Sequence, residues 1–337
     1  MKRCILVSVL SLLFALTLPL AAPFLAPGMA AAAVPSSPAP EAGEAGAETA
    51  LLRSDADAVL TLLHNGEVLT LSLADYLPGV LAGEMPLAFA DDALRAQAVA
   101  ARTFALFRQR QGSPNHPEAD VCDDPSCCQV WLDETDLRER WGESAGAGLE
   151  RVRAAVSATD GQYLTYDGEA ILACFHASSA GYTENCAVLW GRPLPYLVSV
   201  ESPETAADVP DFVSTVEVAP EEFREVILSA YPQAAITETT PPDWLGTRSL
   251  DTSGRVAGVR VGGVSIPGVK MRSLFSLRSA NFTLEWTGRS FLFTVSGSGH
   301  GAGMSQYGAN VMAQNHSTWQ EILAHYYPGT ELSALTA

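Results

Sequence analysis

Residues 83–112 read GEMPLAFADDALRAQAVAARTFALFRQRQG, and the second half of this stretch has the pattern of a long helix. Either aspartate at positions 91 and 92 can cap its start, and Gly112 can end it, since glycine readily adopts the conformation that follows a helix C-terminus. Small and apolar residues recur on one face at helical spacing: Leu94, Ala98, Ala101 and Ala105. We therefore predict a helix over Asp92–Arg110 that packs closely against another element through this narrow face.

The tetrad Gly83-Glu84-Met85-Pro86 lies just before that helix. The preceding residues, Leu73–Glu84, have helical spacing as well, and the helix must end at Met85 because a residue before proline avoids the α conformation. A carboxyl group at a helix end beside a proline turn can be rigid and partly dry, and burial raises its pKa so that it can act as a general acid. The local pattern alone favours a simpler interpretation, in which Glu84 is a solvated surface carboxylate.

The N-terminal segment has the composition of an export signal. Lys2 and Arg3 precede an uncharged, mostly apolar stretch that reaches about Val34. Residues 1–34 are either a cleaved signal peptide or a retained membrane anchor, with a slight preference for the anchor. Residues 35–57 are rich in Pro, Ala, Gly, Ser and Glu and predict a flexible linker. We therefore expect an exported protein, anchored in the membrane with its folded part outside the cytoplasm, or secreted if the signal is cleaved.

The formal net charge of -18 argues against two classes of partner. Nucleic acid and anionic lipid surfaces are both bound through clusters of Lys and Arg, which this composition does not favour. The acidic charge does not restrict the fold.

Five cysteines remain outside the N-terminal segment, and three of them cluster with a histidine within thirteen residues. Thiolates and imidazole are the donors that Zn²⁺ prefers, and four of them close a tetrahedral structural site. A bound metal would order the polar, irregular segment 113–130. Disulfides are the alternative in an exported protein, although an odd number of cysteines does not fit a purely disulfide framework. The candidate ligands are His116, Cys122, Cys127 and Cys128.

The segment Phe175–Thr183 is rich in hydroxyl groups and leaves a predicted hairpin. Its serines and His176 suit hydrogen bonding to a polyhydroxylated ligand. A hydrolase triad is disfavoured, because no Gly-x-Ser-x-Gly elbow is present and no Asp is evidently paired with His176. Cys174 and Cys186 flank this segment and are candidates for a disulfide.

A second loop, Gly297–Ala309, is rich in glycine. Alternating glycines let the backbone approach a ligand or another strand closely. The Gly-Lys-Ser/Thr ending of a phosphate-binding loop is missing, so a nucleotide site is disfavoured. The simpler interpretation is a tight turn that contains a structural histidine, His300.

The remaining patterns mix short strands and helices without regular alternation, which predicts the α+β class with mixed sheets and packed helices. The cysteine segment adds a predicted zinc-clipped loop to this fold. Strands are predicted in a hairpin at Asn65-Gly66, in a hairpin over 162–178 that turns at Asp167-Gly168, in Val256–Val269 and in Phe291–Val295. Further helices are predicted over Leu149–Ser157, near Glu221–Ser229, and from about Met304 and Trp319. The whole of 200–250, including the helix near Glu221–Ser229, is predicted to be peripheral loops and strands with this one helix.

Together and in this order, these motifs resemble one family. Gly83–Thr103 and Gly299–Ala309 are similar to two signature segments of the stage II sporulation protein D family. The cysteine segment, the hydroxyl-rich segment and residues 190–203 fit the same family, so the resemblance covers residues 58–330 as one catalytic domain. The same module occurs in amidase-enhancer proteins of vegetative walls. Two positions depart from the family pattern: Cys127, where the pattern often has histidine, and Ala180, where it usually has glycine.

The resemblance implies a peptidoglycan lytic transglycosylase that cleaves peptide-free MurNAc-GlcNAc strands, with 1,6-anhydro products, during endospore engulfment. It implies that Glu84 is the catalytic acid and base and that His116, Cys122 and Cys128 bind zinc, with Cys127 as a fourth ligand. The implied location is the septal, mother-cell membrane. The implied protein partners are a sporulation amidase, stage II sporulation protein P, and a further membrane protein, stage II sporulation protein M.

The implied reaction needs one carboxyl group, because the muramyl 6-hydroxyl replaces an external nucleophile. The candidate sugar-binding residues are Arg102, His176, Ser178, Ser179, His300, Ser305 and Gln306. Two alternatives stay open. One is a non-catalytic, glycan-binding enhancer of a cell-wall amidase, and the other is a zinc-dependent hydrolase.

Overall fold

The structure is a computed structural model that describes residues 53–236 and 241–336. The predicted signal or anchor and most of the predicted linker lie outside the described residues. One of the last linker residues is packed, because the Asp55 carboxylate is buried and accepts hydrogen bonds of 2.5 and 2.6 Å from the Arg102 guanidinium. The packed part of the chain therefore reaches back to Asp55. None of the helices within the two described ranges is long and apolar enough to cross a bilayer.

Helices and short strands follow each other irregularly, in agreement with the predicted α+β class. The helices have these bounds: α1 Leu73–Glu84, α2 Asp91–Gln111, α3 Glu134–Trp141, α4 Ala145–Ser157, α5 Cys186–Trp190, α6 Pro220–Ala230, α7 Gly268–Leu274, α8 Gln306–Gln314 and α9 Trp319–Tyr326. The strands have these bounds: β1 Val59–His64, β2 Glu67–Ser72, β3 Val121–Cys122, β4 Gln162–Tyr166, β5 Glu169–Ala170, β6 Phe175–His176, β7 Val213–Val218, β8 Leu245–Leu250, β9 Val256–Val261, β10 Val264–Pro267, β11 Phe282–Trp286, β12 Phe291–Ser296, β13 Met304–Ser305 and β14 Glu331–Ala334.

The first sheet confirms the predicted N-terminal hairpin. β1 and β2 pair antiparallel around Asn65 and Gly66, which both have a positive φ, as a tight two-residue hairpin turn requires. β3 pairs in parallel with the other edge of β1 and carries Cys122. The largely irregular segment 113–130 is thereby attached to the sheet at one point.

The helix α2 lies at the centre of the first hydrophobic core. The predicted helix is confirmed, and α2 is one residue longer at each end. Half of its buried residues are alanines, so α1, α4, α8 and α9 can all pack against it. α3 is an element that the sequence patterns did not indicate, and it begins with a capping box between Asp133 and Asp136.

A second hydrophobic core lies between residues 213 and 296. It is built from α6, α7 and two antiparallel sheets with the strand orders β10-β9-β8 and β11-β12-β7. Aromatic rings in contact occupy its centre: Phe223, Trp244, Phe275, Phe291 and Phe293. The prediction that residues 200–250 are peripheral is therefore wrong, because β7, α6 and Trp244 contribute buried side chains to this core.

The predicted hairpin over 162–178 is shorter than expected. β4 and β5 turn at Asp167-Gly168 as predicted, but β5 ends at Ala170, and the other edge of β4 pairs with β14. The chain then forms β6, which pairs in parallel with β13. This pairing joins the hydroxyl-rich segment to the glycine-rich segment, although more than a hundred residues separate them in sequence.

Candidate active site and metal centre

Glu84 ends α1 and is partly buried. The backbone N–H of Val130 donates a hydrogen bond to its Oε1 at 2.8 Å, and the side-chain amide of Gln306 donates to its Oε2 at 3.4 Å. Burial raises the pKa of Glu84 to about 7, which outweighs these two hydrogen bonds and the charge of Arg140, all of which favour the ionised form. Glu84 is thus not a freely solvated acid. Both of its protonation states are populated near neutral pH, and its side chain keeps some access to solvent.

Two glycines in α1 explain how Val130 reaches Glu84. A Cβ atom on Gly83 would lie 2.7 Å from Val130 Cγ1, and one on Gly79 would lie 2.5 Å from the indole nitrogen of Trp131. Residues 130–132 therefore pack directly on the backbone of α1, where Leu132 N–H donates to the carbonyl of Gly79 at 3.3 Å. Any larger residue at either position forces this segment away from the helix.

The candidate metal ligands converge as predicted. The ligand atoms of the four residues all lie within 4.8 Å of one another: His116, Cys122, Cys127 and Cys128. All three thiols are free, so the disulfide alternative is not realised among them. His116 Nδ1 lies 2.9 Å from the carbonyl of Ala119, which fixes the ring so that Nε2 points toward Cys128 Sγ at 3.3 Å.

The donor set of this cluster fits a tetrahedral ion. Bonds of about 2.3 Å from a metal to sulfur place tetrahedral ligand sulfurs about 3.8 Å apart, and the sulfurs of Cys127 and Cys128 lie 4.0 Å apart. The side chain of Asn115 donates to Cys127 Sγ at 3.4 Å, which is the kind of outer contact that orients a thiolate ligand. The cluster could therefore hold a metal ion without a change of backbone path.

The candidate metal cluster lies close in sequence to a residue that holds Glu84, since Val130 follows Cys128 by two positions. Cys128 is a candidate ligand, Gln129 donates its side-chain amide to the carbonyl of Ala101 at 3.2 Å, and Val130 donates to Glu84. The position of Val130 therefore depends on both the cluster and α2. The cluster can support the geometry around Glu84 without contacting a substrate.

Most of the predicted sugar-binding side chains are buried and bonded within the protein. His176 Nε2 lies 2.7 Å from Ser179 Oγ, and burial, with the neighbouring His300, lowers the pKa of His176 well below its ordinary value, so that its ring is neutral. The buried members of the predicted set are Arg102, His176, Ser178, Ser179, Ser305 and Gln306. His300 keeps partial exposure and lies with its ring centroid 6.0 Å from that of Trp190.

Arg102 has a structural position. Its side chain is fully buried, and Asp55 occupies two of its donors while the carbonyl of Gln162 accepts from a third at 2.9 Å. Its assignment as a sugar-binding residue is therefore corrected, because no donor surface remains accessible.

The suggested disulfide is absent as well. Cys174 and Cys186 are both free thiols, and Cys186 Sγ accepts a hydrogen bond from Leu194 N–H at 3.2 Å. The hydroxyl-rich segment is instead held by strand pairing and by the buried carboxylate of Glu204, to which Ser179 N–H donates at 2.5 Å.

Two important contributors had no sequence signal. Val130 acts through its backbone N–H, which any residue except proline supplies, and Glu204 lies in a segment without helical or strand periodicity. Only the tertiary contacts identify them.

Comparison with known proteins places the chain in one family. A family model described as "Stage II sporulation protein" matches residues 64–166, which include Glu84 and the four cluster residues. Stage II sporulation protein D of Bacillus amyloliquefaciens is 35% identical over 290 residues, which cover 86% of this chain and 82% of that protein. The chain belongs to the stage II sporulation protein D family. The family member of Bacillus subtilis (strain 168) is also 35% identical, over 275 residues that cover 81% of this chain and 78% of that protein.

A more distant relative is named for an amidase. A protein named "Amidase enhancer" from Bacillus subtilis (strain 168) is 24% identical over 316 residues, which cover 77% of this chain and 40% of that protein. The resemblance to the stage II sporulation protein D family is thus confirmed over most of the chain, and one relative carries a name that refers to an amidase.

Proposed function

We propose that this protein is a peptidoglycan lytic transglycosylase in which Glu84 is the catalytic acid and base. The observation that carries this proposal is the state of Glu84, a partly accessible carboxyl group with a pKa of about 7 that Val130 and Gln306 hold in place. Such a group can donate and then accept a proton at neutral pH. Membership of a sporulation protein family supports spore formation as the setting.

The reaction proceeds in two proton transfers. Protonated Glu84 donates its proton to the glycosidic oxygen, so that the bond from this oxygen to C1 of N-acetylmuramic acid breaks and N-acetylglucosamine leaves as an alcohol. The sugar develops oxocarbenium character at C1. Glu84, now a carboxylate, accepts the proton of the muramyl 6-hydroxyl while O6 bonds to C1. The product is the 1,6-anhydro sugar, and Glu84 is protonated again.

One carboxyl group is sufficient for this sequence. A hydrolytic glycosidase uses a second carboxylate to activate water or to form a covalent intermediate. The hydrogen-bond partners of Glu84 are instead a backbone N–H and the amide of Gln306. Both donate to the ionised form, so they stabilise the carboxylate that forms in the first step and restrain its orientation for the second.

Zinc is the ion that we propose for the metal centre, held by His116, Cys122, Cys127 and Cys128. Three thiolates and an imidazole select zinc over calcium and magnesium. Four protein ligands leave no position for water or substrate, so zinc here would supply folding energy and order. The zinc-dependent hydrolase is therefore disfavoured as a function.

The proposed setting is the septal membrane of the mother cell during engulfment, with the folded part outside the cytoplasm and anchored or released at its N-terminus. The substrate is the peptide-free MurNAc-GlcNAc strand. A partner amidase, stage II sporulation protein P, would remove stem peptides beforehand, and stage II sporulation protein M is the proposed membrane partner. The amidase-enhancer relative favours a second candidate, a non-catalytic module that binds glycan and stimulates an amidase.

Mass spectrometry of digested glycan strands separates the two candidates. Purified protein is incubated with denuded strands, and 1,6-anhydromuramyl ends are quantified. We expect these ends with the native protein and with Glu139→Ala, since Glu139 is an exposed acid on α3, and none above background with Glu84→Ala. If Glu84→Ala produces the same ends at the same rate, Glu84 is not the catalytic group. If the native protein produces none but accelerates an amidase, the enhancer function replaces the proposed one.

A further inference from the structure

The carboxylate of Glu204 is buried, and the reaction proposed above does not use it. Its side chain is 3% exposed. Oε1 accepts hydrogen bonds from Ser179 N–H and from the Ser305 hydroxyl, both at 2.5 Å, and Oε2 accepts from the Ser202 hydroxyl at 2.6 Å. A buried carboxylate that meets three donors is well satisfied, so its presence costs little and its removal takes this acceptor from all three donors.

One of these donors begins the helix that reaches Glu84. Ser305 is the N-cap of α8, and its Oγ accepts from Gly308 N–H at 3.1 Å while its hydroxyl hydrogen is donated to Glu204. The next residue, Gln306, donates its side-chain amide to Glu84. Glu204 is therefore connected to Glu84 through two residues, the Ser305 hydroxyl at the N-cap of α8 and the Gln306 side chain in its first turn.

The start of α8 lies directly against this carboxylate. A Cβ atom on Gly308 would lie 2.6 Å from Glu204 Oε2 and would also collide with the hydroxyl of Tyr326. Tyr326 in turn lies 2.9 Å from Ser202 Oγ. The first turn of α8 thus has a single tightly packed position, and Glu204 lies on the inner side of it.

We propose that Glu204 is a positioning residue, which fixes the first turn of α8 so that Gln306 stays hydrogen-bonded to Glu84. This inference rests on the proposed role of Glu84 as the reacting acid. Burial, Val130, Gln306 and Arg140 account for the pKa of Glu84. Glu204 therefore acts on Glu84 through Gln306 and not through its own charge.

The test compares the removal of the acceptor with the removal of the charge. Glu204→Ala removes the acceptor, whereas Glu204→Gln keeps an oxygen for Ser179 and Ser305 and is uncharged. The pKa of Glu84 is measured by carbon-13 NMR on the full chain with labelled glutamate, and kcat and KM are measured on denuded strands. Glu184→Ala is the matched control, since Glu184 is also a buried carboxylate with donors of its own.

We expect Glu204→Ala to raise the pKa of Glu84 by up to about one unit, because a donor to the ionised form is lost, and to lower kcat about tenfold with little change in KM. Glu204→Gln should recover most of both values, and Glu184→Ala should leave the pKa of Glu84 unchanged. In a Gln306→Ala background, Glu204→Ala should cause no further shift, since the two residues act in series.

An unchanged pKa of Glu84 in folded Glu204→Ala protein overturns the inference, and so does a shift that adds fully to that of Gln306→Ala. If Glu204→Ala does not fold, Ser305→Ala removes the same link at the helix start and should give the same upward shift; no shift there also overturns it. The NMR measurement does not need turnover. A native protein without transglycosylase activity therefore refutes the proposed function alone, while an active protein without the coupling refutes only the role of Glu204.

Discussion

Glu84 and Glu184 share a raised pKa and differ in their access to solvent. Burial is the main reason that the pKa of each carboxyl group is raised from 4.5 to about 7. Glu84 is partly exposed at the end of α1, where a backbone N–H and an amide donate to it. Glu184 is 2% exposed, and its oxygens accept from Asn185 N–H at 2.7 Å and from the Ser253 hydroxyl at 3.1 Å.

The neighbours of Glu184 indicate a structural role. Asp251, whose carboxylate is the second cause of the raised pKa, lies in the connection between β8 and β9, and so do Ser253 and Arg255. The guanidinium of Arg255 is 3.9 Å from Glu184. Glu184 thus links the second core to the loop that follows β6. A raised pKa marks desolvation at both sites, and only accessibility separates a group that can reach a substrate from one that cannot.

The largest expected difference between the two sites is catalytic. Glu84→Gln keeps the shape of the side chain and removes its proton, so turnover of denuded strands should fall on the order of 10³-fold. Glu184→Gln should stay within about threefold of the native rate, because no substrate reaches that carboxyl group. Product formation is followed by mass spectrometry, and circular dichroism checks that both variants are folded. If both variants lost turnover equally, solvent access would not explain why Glu84 but not Glu184 is catalytic.

Metal removal should affect the Glu84 side of the comparison selectively. Loss of the proposed zinc ion would release the segment that leads from Cys128 to Val130, so Glu84 would lose a hydrogen bond while Glu184 would keep its partners. We expect Cys128→Ser to lose the bound zinc, to lower Tm by on the order of 10 °C and to reduce turnover about 100-fold. Elemental analysis and calorimetry measure the first two effects.

Cys174→Ser is the matched control for this change, since Cys174 is a free thiol outside the cluster. It should retain one zinc per chain and nearly native turnover. Purified native protein without zinc, prepared under reducing conditions, would contradict the metal assignment, and full activity of zinc-free Cys128→Ser would contradict the link through Val130.

The same comparison shows what the sequence could predict. Glu84 and the four cluster residues can be predicted from local patterns together with a family resemblance. The tetrad Gly83–Pro86, the helix that follows it and the spacing of the candidate ligands all lie in short, uninterrupted stretches of the chain. The hairpin at Asn65-Gly66, α1, α2 and the C-terminal helices follow from turn residues and periodicity. The hairpin, the helices and the clustering of the four candidate ligands depend on neighbours in sequence, and the structure agrees with these predictions. The catalytic role of Glu84 stays a prediction.

The remaining features depend on contacts between distant segments. The pairing of β6 with β13 accompanies the burial of Ser178, Ser179 and Ser305, which the sequence suggests are accessible. Arg102 is hydrogen-bonded to Asp55, which lies in a segment predicted to be a linker, and so is not available to a sugar. The sequence predicts strands of the second core at Val256–Val269 and Phe291–Val295, but not their assembly with β7 and α6 into one core. Glu184 and Glu204 differ from other acids only through their tertiary surroundings, which no local pattern encodes.

The stability of the protein should respond to pH in the same way at both sites. Each carboxyl group has a higher pKa in the folded chain than in the unfolded chain, so the folded state binds more protons between pH 4.5 and pH 7. Stability contributed by each group is therefore complete below pH 4.5, falls as the pH rises and is lost above pH 7. A shift of this size corresponds to about 3 kcal/mol for each group.

Urea unfolding between pH 4.5 and pH 8 measures this effect. Glu84→Gln and Glu184→Gln cannot titrate, so each should reduce the fall in unfolding free energy across this range by about 2–3 kcal/mol. Glu139→Gln, on the surface of α3, should leave the fall unchanged. A variant whose pH dependence matches that of the native protein would show that its carboxyl group is not desolvated in the folded chain.

The smallest expected effect tests the contact that holds Glu84 in place. Gly83→Ala puts a methyl group 2.7 Å from Val130 Cγ1 and 3.1 Å from the Val130 carbonyl oxygen. The segment around Val130 must therefore move away from α1, and the hydrogen bond from Val130 N–H to Glu84 becomes longer. We expect a loss of about 1–2 kcal/mol in unfolding free energy and about tenfold in turnover. Gly146→Ala is the matched control, because a methyl group on Gly146 in α4 would meet no described atom within 4 Å beyond its own helix, and it should gain about 0.5–1 kcal/mol. If Gly83→Ala also gains stability and keeps native turnover, Val130 can shift freely and does not fix Glu84, and the accessible site then owes its geometry to Gln306 alone.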